Sequence, residues 1–305
     1  MLDMAVVIVS WNVRDYLRDC LTAVFAEVSH SGLQVDVWVV DNQSQDASVA
    51  MVQQQFPQVH LIANAHNPGF GAANNQGMQA AQAYQPRYYF LLNPDTVVQP
   101  GSLTALVDCL AKRPFAGMVG ARLVYGDGRF QHSAFAFPGL AQMMFELFPL
   151  PARLYESRWN GRYDRRWFAP DCEPFAVDHP LGAGMMVRAA AAEQTNGFDE
   201  QFHMYCEEID WAWRIREAGW QIFVAPAAEI VHFGGESTSQ IPAQSLINLW
   251  RSRARLYRIH HTKWRFKLTQ LLVSVGMRRK AAQETDPDLK QAYQTIINIW
   301  QKESH

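Results

Sequence analysis

Apolar residues in this chain come in short unbroken runs separated by polar segments with helical spacing. Met4–Ser10, Val35–Val40, Val59–Ala63, Tyr88–Leu92 and Ala116–Val124 are runs of the length and β-branched or aromatic character that predict buried strands. Between them, Tyr16–Phe25, Ser48–Gln55, a small-residue stretch running to Ala83, and roughly Gly101–Ala111 have helical spacing. This alternation predicts an α/β fold with a doubly wound, mostly parallel sheet. Further on, Met185-Met186-Val187 is an apolar run and Trp220–Val224 predicts another strand. Tyr205–Arg214 reads as the start of a helix, with acids in its first turn and Gly219 just past its end. Arg129–Asp178 is irregular and aromatic, an insertion that either covers a site and touches an acceptor or packs a small cluster of its own. Beyond Ser239 the pattern is helical, ending in an amphipathic helix near Leu289–Trp300. The expected division is therefore a main domain over 1–238, with the insertion at about 129–178, and a helical extension over 239–305.

Charge sharpens that division. The net charge is only −2, yet no Asp or Glu occurs from Ser239 to Lys280, where Arg251, Arg253, Arg255, Arg258, Lys263, Arg265, Lys267, Arg278, Arg279 and Lys280 fall. Interleaved with Leu256, Tyr257, Ile259, Trp264, Phe266, Leu268, Leu271 and Leu272, they fit either a helix lying on an anionic membrane surface over 251–280 or a helix packed on the body with a solvated basic face. No nucleic-acid-binding motif accompanies them, and no nucleic-acid partner is expected. The four cysteines are widely spaced with no CxxC pair, so neither a disulfide framework nor a zinc site is expected, and a reducing cytoplasm is. There is no basic leader with a cleavage site, and no run approaches the roughly 18 apolar residues of a membrane span.

Candidate chemistry gathers at strand ends. Pro94 lacks the N–H that a strand ladder needs, so the run Tyr88–Leu92 stops at Asn93-Pro94-Asp95 and holds a carboxylate at the carboxyl end of a central strand. In open α/β sheets that edge binds ligands, and Asp95 is the candidate for holding a metal ion and its diphosphate. His232, beside the flexible Gly234-Gly235, is its candidate partner for Mg²⁺ or Mn²⁺. Asp41, just past another strand, suits a nucleotide contact, and Asp46 suits a helix cap. Asn67–Gly77 is Gly-rich but has neither P-loop nor dinucleotide spacing. It permits close backbone approach at Gly69 and Gly71, tight packing at Ala72, Ala73 and Gly77, or both. Glu207, Glu208 and Asp210 crowd three acids beside Tyr205, Trp211 and Trp213. They are either dipole partners of the helix or a source of a general base with a pKa raised by crowding and burial.

Together these segments resemble the inverting family 2 glycosyltransferases with a GT-A fold, a Rossmann-like, mostly parallel sheet flanked by helices. The chain is most similar to the rhamnosyltransferase-type members of cell-surface polysaccharide synthesis. The resemblance runs from about Val6 to Gly235: Val7–Asn12, Val40–Asp46, Asn67–Gly71 with Asn74 and Gly77, Leu91–Asp95, Gly182–Met186, Gly197–Glu200, Glu207–Asp210 with Arg214, and His232. It implies a nucleoside-diphosphate sugar donor (dTDP- or UDP-linked), a divalent metal, and a saccharide or lipid-linked saccharide acceptor at the inner face of the plasma membrane. It also implies donor contacts from Ser10, Asn12, Asp41, Asn67, Gly69, Asn74, Asn93 and Asp95. Glu208 falls where the family's base is usually Asp, with Asp210 beside it. Asn93-Pro94-Asp95 falls where many members have Asp-x-Asp, so the first acid is lost. Arg214 faces the leaving diphosphate or pairs with an acid. No Gln-x-x-Arg-Trp motif follows, which argues against a processive synthase. The alternative is a catalytically inactive sugar-nucleotide-binding or membrane-scaffold module.

Overall fold

The computed structural model describes residues 2–235 and 240–302. Chain order runs β1 (Met4–Ser10), α1 (Arg14–Ser31), β2 (Val35–Asp41), α2 (Ser48–Gln55), β3 (His60–Ala63), α3 (Phe70–Gln82), β4 (Tyr88–Leu92), β5 (Thr96–Val98), α4 (Ser102–Ala111) and β6 (Ala116–Val124). There follow β7 (Phe130–Gln131), β8 (Ala134–Phe135), α5 (Leu140–Leu147), β9 (Phe175–Ala176), β10 (His179–Pro180), β11 (Gly184–Arg188), α6 (Ala189–Thr195), α7 (Glu207–Glu217), β12 (Gln221–His232), α8 (Pro242–His260), α9 (Lys263–Gln283) and α10 (Pro287–Lys302).

The main sheet has strand order β3-β2-β1-β4-β11-β6-β12-β5. β3, β2, β1 and β4 are parallel, β11 runs antiparallel between β4 and β6, and β12 is parallel to β6. The strands are apolar on both faces because both are covered. In β1, Met4, Val6 and Ile8 pack into one layer while Ala5 and Val7 pack into the other; in β4, Tyr88, Phe90 and Leu92 oppose Tyr89 and Leu91. Helices α1, α2 and α4 supply Leu17, Val24, Met51 and Leu106 to the first layer. On the second face lie Met78 of α3, Ala191 of α6 and Trp211 and Ile215 of α7. Each such fully buried aliphatic side chain is worth roughly 1.5–3 kcal/mol of transfer free energy.

α3 begins at Phe70, so most of the Gly-rich stretch is helix. Gly77 sits where a Cβ would collide with Val7, which lets α3 lie directly on β1. The insertion does build its own ring cluster, in which Phe130, Phe168 and Phe175 pack edge to face. It also buttresses the C-terminal helices: Leu147 of α5 fills the notch at Gly276 of α9, and Tyr257 donates to the Gly139 carbonyl at 2.9 Å.

The expected boundary at 238/239 lies outside the described residues. On its far side α8, α9, α10 and α5 share a core that includes Trp250, Tyr257, Phe266, Val273 and Trp300. α8 is also bonded to the sheet domain. Ser252 Oγ donates to the Met204 carbonyl (2.7 Å), Arg255 pairs with Asp199 (2.6 Å), and His260 Nε2 lies 2.8 Å from Asp210. Among the described residues no helix is long and apolar enough to cross a membrane.

Candidate active site

The topology brings one sheet edge together from several elements. The carboxyl ends of β1, β2 and β4 lie side by side, with Ser10 opposite Asp41 and Ile8 opposite Leu92. Because β11 runs the other way, its amino end, Gly184, is at the same edge, and the Asn93 amide donates to the Ala183 carbonyl at 2.9 Å. The carboxyl end of β12 arrives there too, with His232 paired to Thr96.

Ser10 and Asp41 are buried, and Ser10 Oγ and Asp41 Oδ2 have no hydrogen-bond partner among the described residues. Orphaned buried oxygens at a strand edge are costly unless a ligand engages them. Asp41 Oδ1 instead accepts from the Ser44 amide at 2.8 Å. Asn12 stitches the two strand-end turns: its amide donates to Ser44 Oγ (2.9 Å) and its Oδ1 accepts from the Gln45 amide (2.7 Å). Asn12 and Gln43 hold left-handed backbone, φ 52° and 65°, the strain that collects at working sites. Asp46 accepts from the Ser48 amide at 3.1 Å and the Arg14 amide at 2.7 Å, tying the starts of α2 and α1.

Gly69 has φ 99°, and a Cβ there would run into the His203 carbonyl, which accepts from the Phe70 amide at 3.0 Å. Two residues expected as donor contacts are occupied in holding this loop. Asn67 Oδ1 accepts from the Gly69 amide (3.0 Å) and the Asn42 side chain (3.3 Å), while the buried Asn74 donates to the Phe70 carbonyl (3.0 Å). Their short amides satisfy local backbone, so they shape the loop. Asn93 leaves its side chain half-buried at the edge, and its carbonyl accepts from Thr96 Oγ1 at 2.7 Å.

Asp95 and His232 are both buried, with His232 Nε2 3.5 Å from Asp95 Oδ1. The Phe233 amide donates to the Asp95 carbonyl (3.0 Å), locking the two segments together. His232 Nδ1 lies 3.1 Å from Gln131 Oε1, an amide carbonyl that can only accept. That contact orients the ring with Nε2 toward Asp95. A hard carboxylate oxygen and a borderline imidazole nitrogen together suit a divalent ion sharing its shell with phosphate oxygens. Among the described residues no cluster of three or more His, Cys, Asp and Glu could hold a metal by itself.

The acids open α7. Tyr205 and Cys206, directly before them, both have left-handed backbone (φ 68° and 66°), which turns the chain sharply so that Glu207 and Glu208 start the helix. Glu207 is buried with Oε2 unpartnered; burial, then the neighbouring Glu208 charge, pushes its pKa well above the usual carboxylate range. Glu208 is partly exposed and packs beside Gly182, where an added Cβ would lie 3.6 Å from it. Burial pushes Glu208 up to about 7, against the pull of nearby backbone amides and Arg253.

Asp210 is different. Burial works to raise its pKa, but the His260 bond and Arg214 overcome that and hold it below the usual range. Its oxygens, expected in a catalytic role, are engaged by Arg214 Nε (2.8 Å) and His260 Nε2 (2.8 Å), contacts that hold α7 to α8. Arg214 also donates to the Thr195 carbonyl (2.5 Å) and the Gly197 carbonyl (2.8 Å), closing the end of α6. Of the two roles open to it, the structure shows the acid pair. His203, Gln131 and His260 were not anticipated. Each comes from a segment remote in sequence, and only His260, at the end of a basic helix, had any local signal.

The mixed sheet with helices on both faces is a GT-A-like fold, and its strand-end edge carries a buried Asp–His pair and a helix-borne acid of raised pKa. The glycosyltransferase-like family 2 signature matches residues 3–257, and the chain belongs to that family and is a glycosyltransferase. It is 32% identical over 240 residues to the N-acetylglucosaminyl-diphospho-decaprenol L-rhamnosyltransferase of Mycobacterium tuberculosis, covering 75% of this chain and 76% of that protein. It is 23% identical over 235 residues to rhamnosyltransferase WbbL of Escherichia coli, covering 75% and 82% respectively. Among solved structures, GalNAc-T7 with UDP, GalNAc and Mn²⁺ superposes with TM-score 0.61 at 13% identity, over 99% of this chain but 56% of that one. The mannosyltransferase PcManGT of Pyrobaculum calidifontis, in complex with GDP-Man and Mn²⁺, superposes with TM-score 0.58 at 14% identity, over 99% and 88%. At these identities the two structures bear on the fold alone.

Proposed function

We propose that this chain transfers a sugar, rhamnose, from a dTDP- or UDP-linked donor to a lipid-linked saccharide, by single displacement with inversion, in cell-surface polysaccharide synthesis. The observation that carries the reading is the separation of duties at one sheet edge. Asp95 and His232 lie together, buried, at the end of β4. Glu208 packs beside Gly182, just before β11, with a pKa near neutrality. Two relatives named as rhamnosyltransferases support the choice of sugar.

In this mechanism Glu208 takes the proton from the acceptor hydroxyl as that oxygen attacks the anomeric carbon. Ser10 Oγ and Asp41 Oδ2, unpartnered at the edge, receive the nucleoside. The backbone at Gly69 gives the donor close access to the loop. Asp95 and His232 would hold a Mg²⁺ or Mn²⁺ ion, whose charge offsets that of the departing diphosphate. Titration calorimetry of the full chain with dTDP and UDP tests the reading. One of them is expected to bind with Mn²⁺ present and to be released by EDTA; binding of neither by the folded protein would contradict it.

The lipid-linked acceptor fits the outer face of α9. The structure sorts the basic, apolar stretch expected over 251–280. Leu256, Tyr257 and Phe266 are buried, and Arg253 and Arg255 pair with Glu146 and Asp199. What remains outside is Ile259 near the end of α8 (45% exposed) and a stripe of α9: Trp264 (59%), Leu268 (39%), Leu271 (60%) and Val275 (50%). The exposed Lys263, Arg265, Lys267 and Arg278 accompany it, with no acid anywhere on the helix. The opposite side of α9 is buried through Phe266, Thr269, Val273 and Met277, so this helix is apolar on two sides. A ring-and-aliphatic stripe within lysines and arginines is the chemistry of an anionic bilayer surface. Leu271→Glu with Val275→Glu is expected to abolish flotation with phosphatidylglycerol vesicles while leaving nucleotide binding intact. Undiminished flotation would remove α9 from the membrane contact.

A further inference from the structure

The insertion contains a cavity of about 530 Å³ whose wall includes Arg158, Arg162, Arg165, Tyr163 and Trp167. Two acids also line it, and both are committed elsewhere. Asp164 holds Arg166 through its side chain (2.6 Å) and backbone amide (2.9 Å), and Glu156 accepts from His132 at 2.7 Å. The three arginines carry no such partner. Among the described residues none of them is in a salt bridge or donates a side-chain hydrogen bond. Arg162 lies against the Phe135 ring (4.8 Å) and Arg165 against the Phe130 ring (5.1 Å). Arg162 is partly buried, and burial pulls its pKa below the ordinary guanidinium value. Three guanidiniums on one cavity wall, one of them desolvated and none in an ion pair among the described residues, outnumber the two acids there and suit a polyvalent anion.

Two of the arginines rest on segments that lead to the candidate active site. Phe130, under Arg165, precedes Gln131, the residue that orients His232. Phe135, under Arg162, pairs with His179 of β10, and that strand leads through Leu181 to Gly182 beside Glu208. The arginines lie on the insertion, and none of the residues lining the cavity is one assigned to the donor.

We propose that Arg158, Arg162 and Arg165 form the subsite that takes the diphosphate of a lipid-linked saccharide acceptor. The proposal rests on the transferase reading above and extends it to the chemical class of the acceptor: a saccharide carried on a diphosphate. Guanidiniums grip phosphate oxygens in paired bonds, and Tyr163 and Trp167 offer rings for the neighbouring sugar. Neutral saccharides would leave the arginines unpaired and bind weakly.

The test uses the full chain and two variants, Arg158→Gln with Arg165→Gln, which alters exposed side chains, and Arg162→Gln alone. Inorganic pyrophosphate is titrated in EDTA, and initial rates are measured with dodecyl-diphospho-N-acetylglucosamine and with dodecyl N-acetylglucosaminide. Loss of charge-assisted bonds is expected to weaken pyrophosphate binding about tenfold or more in each variant. The KM for the diphosphate acceptor should rise by about the same factor. Donor KM, kcat and the KM for the phosphate-free glycoside should stay unchanged. Equal pyrophosphate affinity in native protein and variants of unchanged melting temperature would overturn the proposal. So would a donor KM that rises in step with the acceptor KM, which would assign the cavity to the donor's diphosphate. Should the native protein transfer no sugar at all, the transferase reading fails, and with it the assignment to an acceptor. The pyrophosphate titration would still decide whether the cavity binds a diphosphate.

Discussion

Glu208→Gln is expected to bind the donor as the native protein does and to lose transfer by roughly 10²–10⁴-fold, the usual worth of a positioned general base. The substitution keeps the volume and the hydrogen-bonding reach beside Gly182 and removes only the ability to accept a proton. Glu208 also sets the pH dependence. A carboxyl pushed up to about 7 is mostly protonated below that pH and cannot act as a base there. The rate should therefore climb as pH rises through about 7 and level off above it. Titrations of the adjoining Glu207 and Glu208 are linked, so the midpoint belongs to the pair. In Glu208→Gln the residual rate should lose that climb. A variant with native rate, or one whose residual rate keeps the full pH dependence, would move the base elsewhere, with Glu207 the neighbour to examine next.

Asp95→Ala should weaken Mn²⁺-dependent nucleotide binding by roughly 100-fold or more, because even groups that only orient a metal ligand change affinity by about 10–100-fold. Asp95 is buried with His232 Nε2 3.5 Å away, so no other described carboxylate makes that contact. The defect should vanish when native protein and variant are compared in EDTA, where neither has a metal to lose. A His232→Gln variant should show the same pattern to a lesser degree. If Asp95→Ala and the native protein bind nucleotide alike with Mn²⁺, the pair is a structural contact and the donor is held by other means.

The strands and the edge they build are legible in the sequence because strands covered on both faces must be apolar without alternation. β1 and β4 are such runs, and Pro94 marks where the second must stop. From that edge Asp41, Asp95, His232 and the acids of α7 follow as candidates. The antiparallel entry of β11 was not visible: a central strand reads as the same apolar run in either direction, and direction is set by the connections. α6 was missed because Ala189–Thr195 is short and nearly all small residues, with no polar face to give periodicity. The loop-holding contacts of Asn67, Asn74 and Arg214 are not legible in the sequence for a common reason. Each has backbone carbonyls or amides among its partners, and these carry no residue identity. The clamp of His260 on Asp210 joins residues fifty apart in sequence and is visible only in the fold.

The most direct test is to follow sugar transfer from dTDP-rhamnose and UDP-sugars to a diphosphate-linked acceptor, with the anomeric configuration of the product read by NMR. The account predicts transfer from one donor, in the presence of Mg²⁺ or Mn²⁺, with inverted configuration and with almost none from Glu208→Gln. Retained configuration, or equal transfer by native protein and Glu208→Gln, would contradict it.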